Sequence, residues 1–365
     1  MALTYMNVAC FCGLNKFKVA FLTSSLPVST DMCHCNSCRH NTGQTFVHTV
    51  TIINDPLSPG ASETDAQSKA GDLQHLAVYK PAESLTRYFC SRCFAYVFTR
   101  VSLDDGSYRW NVFTGVLEKV GGIVKVGYHS FVGDTQDGGI ADHYRAVDGV
   151  DLPRYKLSKR DGDLVAAGWK AANLQKAQES PLQEGETLSA HCHCKAISLS
   201  FTPVTAISDP ENEWWLVPPK NEQSHVRYLG LHCVCDSCRL TSGSLIQSWV
   251  YIPRVNIIDT HTSRPVVLVP KEGESRTAGL TQFESIPGTY RESCAKCGAK
   301  VFFWKTSRGA DVLDVSAGLF DQEQEGARAD RWFGWAQRVS FHGFAIDASV
   351  ADSLESGLKV WEDRY

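Results

Sequence analysis

The sequence predicts a mainly β protein built as two tandem, cysteine-stapled β domains joined by a partly helical linker. Three observations predict it. All fourteen cysteines fall in C-x-C, C-x-C-x-x-C or C-x-x-C clusters, and those clusters run in the same order twice. The stretches between them are short, rich in Val, Ile, Phe and Tyr, and bounded by Gly, Pro, Asn or Asp, as strands are. Helical periodicity is confined to the linker and the C-terminus.

Composition sets the outer bounds. The chain has 365 residues, 43% of them hydrophobic, which is enough for two globular domains. Net charge is −4 with no Lys/Arg run, which argues against a nucleic-acid partner. No 18-residue apolar run and no signal-peptide pattern occurs, so no membrane association and a cytoplasmic location are expected. The cysteines are then expected to be reduced thiols.

The first repeat is expected over residues 1–158, with strands at Lys16–Phe21, Thr45–Ile53, His75–Tyr79, Tyr96–Val101, Arg109–Phe113 and Val124–Phe131. Residues 55–72 read as a loop insertion. The linker spans 159–187; Asp163 can cap a helix to about Ala177, with Leu164, Ala167, Ala171 and Leu174 on one face. The second repeat is expected over 188–365, with strands at Ala196–Phe201, Leu245–Ile252, Val266–Val269, Lys300–Trp304, Val312–Ser316 and Gln337–Phe344. Its insertion falls near 209–224 and carries Trp214 and Trp215. Ser349 and Asp352 read as a capping box opening a last helix, with Leu354, Leu358 and Trp361 inward.

Seven cysteines per repeat divide as four plus three. A C-x-C hairpin and a distant C-x-x-C knuckle supply four thiolates, which close a structural zinc site. These are Cys10, Cys12, Cys90 and Cys93, then Cys192, Cys194, Cys294 and Cys297. The remaining triads, Cys33, Cys35, Cys38 and Cys233, Cys235, Cys238, leave a fourth position open for water or substrate. Up to four zinc ions per chain follow, two structural and two open. The alternative is a closed triad with a histidine as fourth ligand, from His34, His40, His48, His225 or His232. Arg39 and Arg239, which follow the triads, can bind a carboxylate, and Gly43 and Gly243 can bring backbone amides to a thiol substrate. Trp214, Trp215, Trp249 and Phe46 can wall a pocket or fill the core.

These residues resemble the glutathione-dependent formaldehyde-activating enzymes, which share a domain with centromere protein V. The resemblance rests on Cys10-Phe-Cys12, Cys33-His-Cys35-Asn-Ser-Cys38-Arg39 with Gly43, Cys90-Ser-Arg-Cys93 and their second-repeat counterparts. Gly115-Val116-Leu117 and His129-Ser130-Phe131 add to it. It implies that both domains have the formaldehyde-activating-enzyme fold, with a closed four-Cys zinc and a labile three-Cys zinc each. It also implies formation of S-(hydroxymethyl)glutathione from formaldehyde and glutathione, a carbon–sulfur lyase reaction in reverse. One departure stands out: the knuckle glycine, present as Gly298, is Phe94 in the first repeat, where positive φ is costlier.

The expected function is therefore a zinc-dependent carbon–sulfur lyase acting on a small thiol such as glutathione and an aldehyde, or on their adduct. Its general acid is sought among His48, His129, His232 and His342. The alternatives are a lyase for the thiol adduct of a larger metabolite, and a non-catalytic zinc-stapled interaction module. The sequence leaves the oligomeric state open.

Overall fold

The computed structural model describes residues 2–61, 69–177, 182–183, 185–204, 212–219 and 225–362. Each half holds one large and one small sheet, and the first half adds a two-stranded hairpin, Ala146–Val147 with Val150–Asp151. In the first half the large sheet runs Val124–Ser130, Val28–Cys33, Val47–Thr51, Tyr108–Phe113, Tyr96–Ser102, Leu85–Cys90, Leu76–Ala82. Only the first pair is parallel. The second half repeats this order with Phe333–Trp335, Arg227–Cys233, Gln247–Pro253, Gly309–Ser316, Lys300–Lys305, Thr289–Cys294, Leu280–Ile286, and again the first pair alone is parallel. A short strand, Leu216–Val217, adds to Arg227–Cys233. The small sheets also correspond: Leu3–Ala9, Lys16–Leu22, Ile53–Leu57 against Leu188–His191, Ser198–Phe201, Ile257–Asp259 with Arg264–Pro265.

Alternation explains the strands. In Lys16–Leu22, Phe17, Val19 and Phe21 are buried while Lys16 faces water, the pattern of a one-sided sheet. Helices are few: α1 (Asn36–Thr42), α2 (Ala172–Ala177), α3 (Asp236–Ser242), α4 (Gln322–Glu325) and α5 (Ala348–Glu362). Although last in sequence, α5 completes the core of the first half. Its Val350, Ala351, Leu354 and Leu358 are buried in one cluster with Tyr144 and Val126.

Several expectations are corrected. The linker helix shrinks to α2, because Gly168 has φ 78° and Leu164 instead bridges Tyr155. Residues 55–57 are strand, not loop, since Ile53–Leu57 pairs with Lys16–Leu22. Val266–Val269 and Gln337–Phe344 are not strands; Val266, Leu268 and Val339 are buried from loops, while Val269, Phe341 and Phe344 face water. The strands at Leu3–Ala9, Val28–Cys33, Ile53–Leu57 and Leu85–Cys90 were not anticipated. The cap of α5 is Asp347, whose carboxylate accepts the Ser349 N–H at 3.0 Å, not Ser349. Of the second insertion, 209–211 and 220–224 lie outside the described residues. Phe46 is fully buried core.

Candidate metal centres

Each four-cysteine set converges as a hairpin meeting a knuckle. Cys10 Sγ lies 3.6 Å from Cys12 Sγ, which lies 3.6 Å from Cys90 Sγ. In the second half the Cys192–Cys194, Cys192–Cys294 and Cys194–Cys294 separations are 3.5, 3.7 and 3.6 Å. Tetrahedral zinc with 2.3 Å bonds needs about 3.8 Å between sulfurs. Backbone amides turn toward the sulfurs as well: Arg92 and Cys93 N–H to Cys90 Sγ, Ile197 N–H to Cys192 Sγ, all at 3.4 Å. Such bonds favour thiolate. All fourteen cysteines are free thiols.

The knuckle turns need a left-handed residue. Gly298 takes φ 80° and Phe94 takes φ 59°, so the first knuckle keeps its shape despite the lost glycine. The two positions differ because Phe89 lies between them. A Cβ on Gly298 would meet the Phe89 ring at 3.0 Å, whereas Phe94 stacks on that ring at 5.7 Å.

The triads sit where a strand feeds a short helix. Cys33 ends its strand, Cys35 caps α1 by accepting the Cys38 N–H at 3.4 Å, and Cys38 lies in α1. Cys233, Cys235 and Cys238 do the same at α3. The sulfurs of each triad lie within 4.8 Å of one another, and among the described residues no His, Asp or Glu joins either set. His34 is not a fourth ligand; its Nε2 is 2.9 Å from His129 Nδ1. His40 bonds the His191 carbonyl, His225 the Arg331 carbonyl.

Two arginines that the sequence reading missed complete the triads. Arg87 Nη2 donates to Cys38 Sγ at 3.1 Å. Arg291 approaches Cys238 Sγ at 3.8 Å and donates to Ser237 Oγ at 2.9 Å. Both are buried. Hydrogen bonds from Cys33 and Cys35, then Arg87, hold the Cys38 thiol well below the ordinary thiol range. Cys233, Cys235 and then Arg291 do so for Cys238. The signal was present: each arginine stands three residues before the first knuckle cysteine.

Arg39 and Arg239 instead join the halves. Arg39 donates to Asn36 Oδ1, Gln322 Oε1 and the Phe320 carbonyl. Arg239 donates to the Gly115 and Leu117 carbonyls and pairs with Asp236. Gly43 and Gly243 are left-handed C-caps of α1 and α3. A Cβ there would lie 2.2 Å from the Lys300 carbonyl and 2.3 Å from that of Tyr96. These four residues thus serve the junction of the halves: Arg39 and Arg239 divide their donors between their own helix and the opposite half, and the opposite half takes the space beside Gly43 and Gly243.

The four histidines are also misplaced for acid catalysis. His129 and His48 pair with Met32, whereas Ser130 and Val47 pair with Cys33. Side chains alternate along a strand, so both imidazoles lie on the face opposite Cys33. His232, next to Cys233, likewise faces away and sits 3.0 Å from His143. Burial pushes His48 down to about 4 and, as the main cause, His129 to about 3; it does the same to His232, at about 3. Such imidazoles are neutral at pH 7. His342 is paired with Asp352 of α5 at 2.8 Å. Ser340 pairs with Cys233 as Ser130 does with Cys33, so the counterpart of His129 is Val339, not His342.

The arrangement can hold metal at four cysteine clusters, two of four thiols and two of three among the described residues. No described helix is long and apolar enough to cross a membrane. Comparison with known families gives one match: residues 5–134 fit the family described as glutathione-dependent formaldehyde-activating enzyme. No curated protein and no solved structure matches the chain.

Proposed function

With that family's domain over residues 5–134 as premise, we propose that the chain is a zinc-dependent carbon–sulfur lyase resembling S-(hydroxymethyl)glutathione synthase. Its substrates are a small thiol such as glutathione and an aldehyde, or the adduct of the two. The observation that carries this reading is the pair of three-thiol sites without a fourth protein ligand among the described residues. The thiolate donor set suits zinc, which when bound would hold a thiol as thiolate near neutral pH and act as a Lewis acid. Cys33, Cys35, Cys38 and Cys233, Cys235, Cys238 would hold it in the open sites. Two further ions in the four-Cys sites would staple the hairpins to the knuckles, giving up to four per chain.

Three thiolates on a dication leave one net negative charge. Arg87 and Arg291 offset it, so that a fourth anionic sulfur can approach. The reduced thiols suit a reducing compartment such as the cytoplasm. The test is the interconversion rate of formaldehyde and its glutathione adduct, followed by exchange NMR above the spontaneous rate. Acceleration should vanish in the Cys35→Ser plus Cys235→Ser protein while its circular dichroism stays native. An unchanged rate in that folded protein would sink the proposal.

A further inference from the structure

The two triads face different side chains. From each triad arginine, a row of four residues crosses four neighbouring strands. In the first half it reads Arg87, Thr99, Asn111, Thr51. Arg87 donates to Thr99 Oγ1 at 3.4 Å, and Thr51 Oγ1 to Asn111 Oδ1 at 2.8 Å. In the second half, at matching register, it reads Arg291, Phe303, Asp314, Tyr251. Three hydroxyl or amide side chains become two aromatics and an acid.

The next row keeps one aromatic in each half but moves it to the other strand: Thr49 opposite Phe113, whose ring lies under the Arg87 guanidinium at 5.3 Å, becomes Trp249 opposite Ser316. Trp249 packs in one cluster with Cys233 and Cys238, joined by Tyr251 and Phe303. The Arg291 guanidinium lies over the Phe303 ring at 4.8 Å. Trp214, half exposed, extends the wall edge-on to Tyr251 at 4.9 Å. Asp314 brings no free charge, since Arg308 pairs with it and lies over Trp214 and Tyr251.

We propose that the two triads select different thiols: the first a hydrophilic one, the second a thiol whose sulfur is joined to a flat aromatic body. This rests on the reading that the triads receive a thiol. Aromatic contacts contribute about 0.5–1.5 kcal/mol each beyond area burial. Stacking against Tyr251 and Phe303 therefore corresponds to a preference of about tenfold.

The test uses full-length protein loaded with cobalt(II), whose sulfur-to-metal absorption reports a thiol entering an open site. Cys35→Ser leaves the second triad to respond, and Cys235→Ser leaves the first. Each is titrated with glutathione and with phenylmethanethiol. The expected result is about tenfold tighter phenylmethanethiol binding in the Cys35→Ser protein and no such preference in the Cys235→Ser protein. Adding Tyr251→Thr and Phe303→Thr to Cys35→Ser should abolish the preference, with retained four-Cys cobalt absorption as the check of folding. If those variants do not fold, the two single variants decide alone. Equal selectivity in both triads overturns this inference but leaves the proposed function standing. If neither thiol perturbs either triad, both the inference and the proposed function are overturned.

Discussion

The hydroxyl of Tyr96 donates to the carbonyl of Cys297 at 2.5 Å, reaching from one half into the cysteine knuckle of the other. Lys300, three residues past Cys297 as Tyr96 is past Cys93, returns the contact by donating to the Cys93 carbonyl at 2.8 Å. The hairpins cross as well: Phe11 N–H bonds the Leu240 carbonyl of α3, and His193 N–H the His40 carbonyl of α1. Each triad helix is thus seated on the four-Cys site of the opposite half.

That interlocking predicts that neither half folds alone. A fragment of residues 1–158 lacks α5, which supplies Leu354 and Leu358 to its core, and loses the contacts of Tyr96 and Arg39. Circular dichroism and zinc content of the fragment, alone and mixed with 159–365, are the measurements. A native-like, zinc-loaded fragment would refute the interlocking.

Gly43→Ala should destabilise strongly. A left-handed non-glycine residue costs about 1 kcal/mol, and the new Cβ would collide with the Lys300 carbonyl, for a total of at least about 2 kcal/mol. Gly106 is the control, with φ 81° and no atom near its Cβ. Gly106→Ala should lose only the conformational share, about 1 kcal/mol. Urea denaturation of both compares them directly; equal losses would contradict the close approach.

Arg87→Met should weaken metal at the first triad alone, since Cys38 loses its guanidinium partner while the second triad keeps Arg291. A supporting residue of this kind contributes about 10–100-fold in metal affinity. Chelator competition should show one of four ions leaving early. Arg291→Met should do the same at the second triad. Uniform weakening of all four ions would rule out this local role.

Stability should fall on acidification below about pH 6.5. His40, His48, His129 and His232 are held neutral mainly by burial, the first at about 3. Below an unfolded-state value of about 6.5, the unfolded chain takes up protons that the native chain refuses, so the native state loses ground. Each such histidine adds up to about 1.4 kcal/mol per pH unit between its two values. His48→Asn, whose amide can keep the bond to Thr114, should flatten the slope of unfolding free energy between pH 4.5 and 6.5 by one proton. An unaltered slope would mean that His48 is already charged in the native state.

What the sequence determined by itself is the chemistry and the order of parts. Thiol spacing is local: C-x-C and C-x-x-C bring sulfurs together within one turn, so Cys35 and Cys38 or Cys90 and Cys93 were legible without a fold. So was strand character, which resides in runs such as Lys16–Leu22. Tertiary structure alone decided where the flanking residues point. Arg39 and Gly43 adjoin a triad in sequence, yet Arg39 reaches Phe320 and Gln322 of the opposite half, and Lys300 of that half takes the space beside Gly43. Arg87 is 49 residues from Cys38 yet touches its sulfur, because sheet pairing carries it there. His129 and His48 sit beside ligand-bearing register positions but on the other face, a consequence of strand alternation that no spacing along one strand reveals. The seat of α5 in the first core, more than 200 residues from its partners, likewise follows from packing rather than pattern.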